Sequence, residues 1–392
     1  MKKTGLIAMI LSAVLGAFCL LCGCSTADNG DVITITDGDT KDKSEIVTYY
    51  GFKADAINLI AIEKAVDDFN AAHSKINIVY EGVKGKPYWS AFDRRLAANA
   101  LDDIFMVNHD RILDMSANGL LADISSALDV NKFGYLARDQ LLNVDGSVYF
   151  VPTSISTYGM FVNYDVLKAH NLQVPQTYAE FETVCDYFVS NGITPIIMNN
   201  GSSLRSLMVA KSLFPVYAGN GTKAALEEFN AAPEKLAPYF DNGVDLAATM
   251  LEKKWFDARE AIETADTGDD VNIFVQGKRP FMITGSLSSV LVADSNAKLN
   301  YGVHPFPIID GGNVVVTEAD TCVAVNASSE HVEQALEFVS FITQRNTVWE
   351  YCNSQSSYTV LDDMRTPSDK AIAPLTAYLR NTPSVVGSDY KL

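Results

Sequence analysis

Apolar residues recur with two different periods in the stretch that begins at residue 46. Residues 46–50 and 76–80 are short β-rich runs, and the stretch 54–72 between them places its apolar residues on one helical face. A strand, a helix and a strand in this order predict a βαβ unit, whose two strands pair in parallel.

The same pattern continues with a helix over 89–100 and a third strand over 103–107. Ligands of parallel sheets bind beyond the carboxyl ends of the strands. Because residues 51–53 and 108–110 follow two of these strands, we expect both short segments to border a binding site.

Two further apolar runs flank a small polar bridge in the segment DGSVYFVPTSISTYGMFVNYD, residues 145–165. The runs are 148–151 and 158–162, and the bridge between them is 153–157. Spacing alone permits two interpretations: an ordinary hairpin, or one extended segment that passes from one sheet to another.

Beyond this segment the chain again alternates between helices and strands. Thr177 and Glu180 form a capping box that opens a helix over 178–190. A strand over 193–198 then leads into a polar loop, and the helix that follows the loop offers free backbone N–H groups. We expect residues 301–307 to carry the chain back toward its first half.

The beginning of the chain has the pattern of an export signal. Two lysines precede an apolar run over 6–22, and the letters LCGC at 21–24 resemble a lipobox, in which cleavage leaves the thiol of Cys24 to carry lipid. The alternative is a retained membrane helix, since the run is nearly long enough to span a bilayer. We predict a lipoprotein signal and lipidation of Cys24.

Composition and charge argue against binding to nucleic acid or anionic lipid. The formal net charge is −18, and it becomes −20 once the two lysines of the signal are removed. Such a surface repels nucleic acid and anionic lipid. The length exceeds the usual limit for a single core, which favours two lobes. After export three cysteines remain, an odd number that permits one disulfide at most, and we expect buried free thiols at Cys185, Cys322 and Cys352.

Several short segments, taken in order, resemble the bacterial extracellular solute-binding proteins, the sugar-type lipoproteins of ABC transporters that include maltose-binding protein. VPTSISTYGMFVNYDVL resembles the segment that crosses between the lobes of that family, which favours the extended interpretation over the hairpin. Residues 103–111 and 117–121 resemble a stretch of its first lobe, and 277–286 resembles a turn, strand and small-residue loop of its second.

The resemblance implies a fold class: α/β, periplasmic-binding-protein-like type II, with two α/β lobes joined by a multi-crossing hinge and a ligand cleft between them. The implied divisions are a signal peptide at 1–23, a flexible tether at 24–44, a first lobe of 45–155 plus 303–343, and a second lobe of 156–302 plus 344–392.

The resemblance also implies a function, the capture of a sugar or oligosaccharide outside the cell and its delivery to the permease subunits of an ABC transporter. We expect a monomer, anchored by lipid on Cys24 to the outer face of the membrane, with no nucleic-acid partner. The alternatives are a binding protein for another solute, such as a peptide, polyamine or metal complex, and a secreted carbohydrate-active enzyme.

A neutral sugar needs planar hydrogen-bond partners and an aromatic face against its C–H side. The residues that meet these needs near the expected cleft are Lys53, Trp89, Asn108, Asp110 and Arg111 in the first lobe and Tyr158, Asn200, Arg205 and Trp255 in the second. The resemblance adds Asp320, which matches a position at the edge of the cleft in many family members. Ser156 stands where maltose-binding protein has a carboxylate in its cleft, which argues against a maltodextrin ligand.

Catalytic motifs do not emerge from the sequence. It contains no G-x-S-x-G elbow, no P-loop and no H-E-x-x-H pair, and its five histidines are scattered. Adjacent acids such as Asp102 and Asp103 could suggest a glycosidase pair, but neighbouring side chains on a strand point apart. We therefore predict no active site, no metal and no cofactor.

Overall fold

In the computed structural model the described residues are 32–35, 45–54, 56–141, 145–264, 269–310 and 312–388. Its strands are β1 Val32–Ile35, β2 Glu45–Gly51, β3 Ile76–Val83, β4 Ile104–Val107, β5 Val151–Asn163, β6 Ile196–Ile197, β7 Phe281–Gly285, β8 Tyr301–His304, β9 Phe306–Ile309, β10 Gly312–Val314, β11 Val316–Val325 and β12 Val385–Val386.

Helices follow most of these strands. They are α1 Ala56–Ala72, α2 Lys86–Ala97, α3 His109–Ala117, α4 Tyr135–Leu141, α5 Tyr164–Ala169, α6 Tyr178–Ser190, α7 Ser203–Tyr217, α8 Thr222–Ala231, α9 Ala237–Glu252, α10 Ala258–Glu263, α11 Asp269–Phe274, α12 Ser288–Ser295, α13 Val332–Ile342, α14 Arg345–Ser354 and α15 Leu375–Asn381. The N-cap half of the predicted capping box is confirmed, since the Thr177 side chain accepts a hydrogen bond from the backbone N–H of Glu180 at the start of α6. The Glu180 carboxylate accepts from the backbone N–H of Gln176 instead of that of Thr177.

The first lobe is built on β1–β4 and α1–α4. β2 pairs in parallel with both β3 and β4, which confirms the predicted βαβ arrangement. The apolar face of α1 is buried on this sheet, and Phe69 packs edge-on against Phe338 and Phe341 of α13. The carboxyl ends of β2 and β4 therefore lie together at one edge.

A single strand, β5, runs from one lobe into the other. It pairs antiparallel with β11 over Val151–Tyr158 and with β7 and β8 over its remaining length. The carboxyl end of β11 in turn pairs with β4. The hairpin interpretation of this segment is therefore wrong, and hydrogen bonding continues through the two crossing strands from β4 to β7.

The second lobe, β6–β10 with α5–α12, has helices on both faces of its sheet. Along β7, Phe281 and Ile283 face a core that contains residues of α6, α7 and α9, while Met282 faces residues of α11 and α12. Alternate residues of a strand point to opposite faces, so both sets of apolar side chains are buried.

Four residues of the predicted tether form regular structure. β1, with the letters VITI, pairs antiparallel with Tyr80–Val83 of β3. All four of its residues are β-branched, which favours a strand, and β3 would otherwise leave an edge of the sheet unpaired. This short strand was not predicted from the sequence, because the residues around it in the tether are polar.

The chain returns to the first lobe later than the sequence indicates. β8 pairs with the second-lobe end of β5, and Phe306 and Ile308 lie in the second-lobe core, so β11 makes the return. After it, α14 packs on α1 and Lys64 pairs with Glu350 at 3.3 Å. This contact argues against assigning all of 344–392 to the second lobe, and the lobe limits stay a prediction.

Cys185, Cys322 and Cys352 are buried free thiols, as expected. Within the ranges that the structure describes, no helix is long and apolar enough to cross a membrane. The predicted signal and Cys24 lie outside the described residues.

Candidate functional site

Most residues of the two crossing strands, β5 and β11, are buried, and their partly exposed residues lie close to one another. On β5 these are Ser156 and Tyr158, and on β11 they are Glu318, Ala319 and Asp320. Ser156 lies directly opposite Glu318 in the ladder. Because side chains alternate along strands, Ser156, Tyr158, Glu318 and Asp320 share one face, which we call the hinge face.

The first lobe reaches the hinge face through Lys53, which follows the end of β2. Its Nζ donates to Asp320 Oδ2 at 3.1 Å, and only 11% of the lysine side chain and 27% of the aspartate side chain are exposed. This ion pair joins the carboxyl edge of the parallel sheet to a crossing strand, so the two predicted residues belong to one site.

Thr321, next to Asp320, has an uncommon backbone conformation for a β-branched residue, with φ of 51°. Its N–H donates to Asp320 Oδ1 at 2.7 Å, and its hydroxyl accepts from Tyr351 at 3.1 Å. Thr153 donates to its carbonyl at 3.3 Å. Such strain persists only where surrounding contacts fix it, and here those contacts orient the Asp320 carboxylate.

The second lobe adds Tyr158 and Arg205 to the site. Burial raises the pKa of the Tyr158 hydroxyl, and nearby Glu318 raises it further while Arg205 opposes the shift. Burial also raises the pKa of Glu318, Arg205 lowers it, and Asp320 raises it. Because α7, which carries Arg205, packs against β11, a phenol, two carboxylates and a guanidinium share one electrostatic neighbourhood.

An aromatic cluster extends the site across the first lobe. The rings of Phe52 and Trp89 are 5.9 Å apart, and the guanidinium of Arg111 lies 5.0 Å from the centre of the Trp89 ring. Arg111 also forms an ion pair with Asp93. Because Phe52 precedes Lys53, the cluster is continuous with the hinge face.

The structure thus brings six of the predicted residues together, in two adjoining groups: Lys53, Tyr158, Arg205 and Asp320 around the hinge face, and Trp89 and Arg111 beside Phe52. Asn108 is exposed at the N-cap of α3, just beyond β4. Asp110 lies in the first turn of that helix, and its side chain is not among those that the structure describes.

Asn200 is an exposed loop residue, and its backbone N–H donates to the Ala261 carbonyl at 2.9 Å. The neighbouring Asn199 is the buried one. Its Oδ1 accepts from the backbone N–H groups of Ser202 and Ser203, and its amide donates to Asp270 at 3.1 Å. The structural role at this loop therefore belongs to Asn199.

Trp255 lies in the core of the second lobe, which does not support its predicted place in the cleft. Its side chain is 0% exposed, and its ring meets Phe181 edge-on at 5.6 Å. The indole N–H donates to Asp186 at 2.7 Å. A tryptophan at the end of α9 satisfies its one polar atom at the surface while the ring is buried.

Sequence reasoning missed Glu318. It was not among the predicted site residues, although it lies on β11, which begins at Val316. The run VVVTEADTCVAV carries the signal in retrospect, because Glu318 and Asp320 are two apart and so share a face. In the described part of the chain, no group of three or more His, Cys, Asp or Glu side chains could hold a metal ion.

These features define a two-lobed α/β protein of the periplasmic-binding-protein-like type II fold, with a polar and aromatic site at its crossing strands. The family model described as bacterial extracellular solute-binding protein matches residues 56–345, and the chain belongs to this family. It is a family of solute-binding proteins rather than of enzymes.

Among characterised relatives, the multiple sugar-binding protein of Streptococcus mutans is 20% identical over 96% of this chain and 86% of its own length. The solved structure of the solute-binding protein RafE with raffinose has a TM-score of 0.68 at 18% identity, covering 88% of this chain and 90% of that one. A Bacillus licheniformis sugar transporter protein with stachyose has a TM-score of 0.66 at 21% identity, covering 88% and 89%.

Proposed function

We propose that this protein captures a neutral sugar or oligosaccharide outside the cell and delivers it to the permease of an ABC transporter. The observation that supports the proposal is the hinge face, where Lys53 from the first lobe pairs with Asp320 of a crossing strand and α7 of the second lobe, which carries Arg205, packs against the same strand. A ligand bound there contacts both lobes at once.

The chemistry of the site suits a sugar better than a polyamine. Two carboxylates, Glu318 and Asp320, stand with two cations, Lys53 and Arg205, so the formal charges of these four residues balance. A polyamine needs an excess of acid, whereas sugar hydroxyls both donate to carboxylates and accept from cations. The rings around Trp89 offer an apolar face for the C–H side of a sugar.

Transport follows from closure of the lobes about the crossing strands. A ligand that bonds to both lobes favours the closed state by its differential affinity for that state. The closed form then docks on the permease, which receives the sugar. The names of the relatives, a multiple sugar-binding protein and structures holding raffinose or stachyose, support an oligosaccharide as the cargo.

A screen of thermal stability against sugars tests the proposal. The panel contains raffinose, stachyose, mannobiose and chitobiose as neutral sugars, with spermidine as the charged alternative. A ligand that binds only the folded state raises the melting temperature, and the rise grows with the logarithm of the ligand concentration once that exceeds Kd. A neutral saccharide that raises it without being hydrolysed supports the proposal; turnover supports an enzyme, and a response to spermidine alone contradicts the sugar assignment.

The lipid anchor is a separate part of the proposal, and it rests on the lipobox-like LCGC at 21–24. Cells that express Cys24→Ala should release the protein or retain its uncleaved precursor, whereas Cys22→Ala should leave processing unchanged. Fractionation and intact mass measure both outcomes. A Cys24→Ala protein that keeps wild-type mass and membrane attachment contradicts lipidation at this residue.

A further inference from the structure

Glu318 is a half-buried carboxylate without a hydrogen-bond partner among the residues that the structure describes. Among the described residues it forms no hydrogen bond and no ion pair, although Arg205 and Asp320 are near enough to influence its pKa. Burial of a charge without hydrogen bonds is costly. A fold that retains this arrangement leaves two carboxylate oxygens ready to accept hydrogen bonds from something else.

The backbone behind Glu318 holds its side chain in place. β12 pairs in parallel with β11 at Val316 and Thr317, and Gly387 then donates from its N–H to the Thr317 carbonyl at 2.9 Å. A Cβ at Gly387 would collide with Glu318 Oε1 and lie 2.8 Å from Val316 Cγ1. The carboxylate is therefore packed against a glycine on one side, which restricts it to the hinge face.

Arg205 is a hydrogen-bond donor that complements the Glu318 acceptor. It is exposed in the first turn of α7 and forms no ion pair with any residue that the structure describes. The helix that carries it, α7, packs against β11, which carries Glu318. Its charge accordingly opposes the upward pKa shifts of both Tyr158 and Glu318. An acceptor and a donor thus stand close to each other without being bonded to each other.

We infer that Glu318 and Arg205 together recognise two adjacent hydroxyls of a neutral saccharide. One hydroxyl donates to the Glu318 carboxylate, and the oxygen of the next accepts from the Arg205 guanidinium. A uronic acid is selected against, because its carboxylate would stand beside Glu318 and Asp320 while Lys53 is already paired with Asp320, which leaves Arg205 alone to offset the repulsion. This inference rests on the proposed function and adds to it the charge class of the ligand and a specificity-determining residue.

The test measures affinity by calorimetry for raffinose, stachyose and mannobiose as neutral probes and for trigalacturonate as the acidic probe. Glu318→Gln keeps the shape of the side chain and removes its charge. Since hydrogen bonds to charged groups contribute about 1.5–3 kcal/mol, this change should weaken the tightest neutral probe about 10- to 150-fold. Glu227→Gln, an exposed acid on α8, is the matched control and should bind as wild type does.

Two further variants, Glu318→Asp and Arg205→Gln, test the position of the carboxylate and the role of the guanidinium. Glu318→Asp keeps the charge but withdraws it by one methylene, so it should also bind less tightly while it melts as wild type does. Arg205→Gln should weaken the same probe, and the double variant with Glu318→Gln should lose less than the product of the two single losses, because both residues hold one pair of hydroxyls.

The possible outcomes distinguish a failure of this inference from a failure of the proposed function on which it rests. Wild-type affinity of Glu318→Gln for every neutral probe overturns the role of Glu318 while leaving sugar binding intact. Tighter binding of trigalacturonate than of the neutral probes by the wild type overturns the charge class. If the wild type binds no saccharide at all, the proposed function fails and the inference fails with it.

Discussion

Replacing Trp255 by alanine should destabilise the protein strongly and leave its affinity for ligand unchanged. The side chain is 0% exposed, so the substitution opens a large cavity in the second-lobe core. Substitutions of this kind cost about 3–5 kcal/mol. Part of that cost is the edge-on contact with Phe181, for which such pairs contribute about 0.5–1.5 kcal/mol.

Trp255→Phe separates the ring from its hydrogen bond. Phenylalanine keeps an aromatic ring against Phe181 but loses the N–H that donates to Asp186 at 2.7 Å. Asp186 is about half exposed and regains water once the indole is gone, so the lost bond should cost only about 1 kcal/mol. The alanine variant should therefore be clearly the less stable of the two.

Urea denaturation followed by far-ultraviolet circular dichroism measures the free energy of unfolding. Calorimetry on the folded variants measures the affinity for the saccharide that the thermal screen identifies. Tyr158→Ala is the contrasting variant, because its partly exposed ring borders the hinge face, and it should lose affinity more than stability. If Trp255→Ala loses less than about 1 kcal/mol of stability but binds ten times more weakly, the core position argued for Trp255 is refuted.

Two other predictions concern Glu318 and its neighbour. Because the folded-state pKa of Glu318 is raised above its ordinary value, the contribution of this residue to the stability of the unliganded protein falls as pH rises through the unfolded and then the folded pKa. At neutral pH, Glu318→Gln should therefore have a higher melting temperature than wild type, and below the unfolded pKa of Glu318 the two proteins should melt at the same temperature. A lower melting temperature of the variant at neutral pH would contradict an unpaired carboxylate. Gly387→Ala should cost about 1–3 kcal/mol and weaken saccharide binding, because the added Cβ collides with Glu318. Gly221→Ala, where nothing lies within 4 Å, is its control, and equal melting of both variants would contradict the collision.

Local patterns determined much of the first lobe and the order of the elements. The β-rich and helical runs predicted the parallel pairing of β2 with β3, because hydrophobic period depends only on nearby residues. Polar residues that follow buried strands also identified Lys53, since the carboxyl ends of parallel strands must meet at one edge. The prediction of Asp320 came from family resemblance, and the structure pairs it with Lys53.

Tertiary structure decided which side chains share an environment. Trp255 has the chemistry of a sugar-stacking residue, and only its position in the second-lobe core, against Phe181 of α6, shows that its ring is buried. β1 required a free edge on β3 before its four residues could pair. In the same way, α14 follows a predicted crossing but packs on α1.

Glu318 shows most clearly where sequence information ends. Its period of two with Asp320 is a local property, visible in the letters TEADT. Its position opposite Ser156, beside Gly387 and near Arg205 depends on three segments that are far apart along the chain. Strand register and the approach of α7 bring them together, and both are set by the burial of apolar faces in two cores rather than by any local preference.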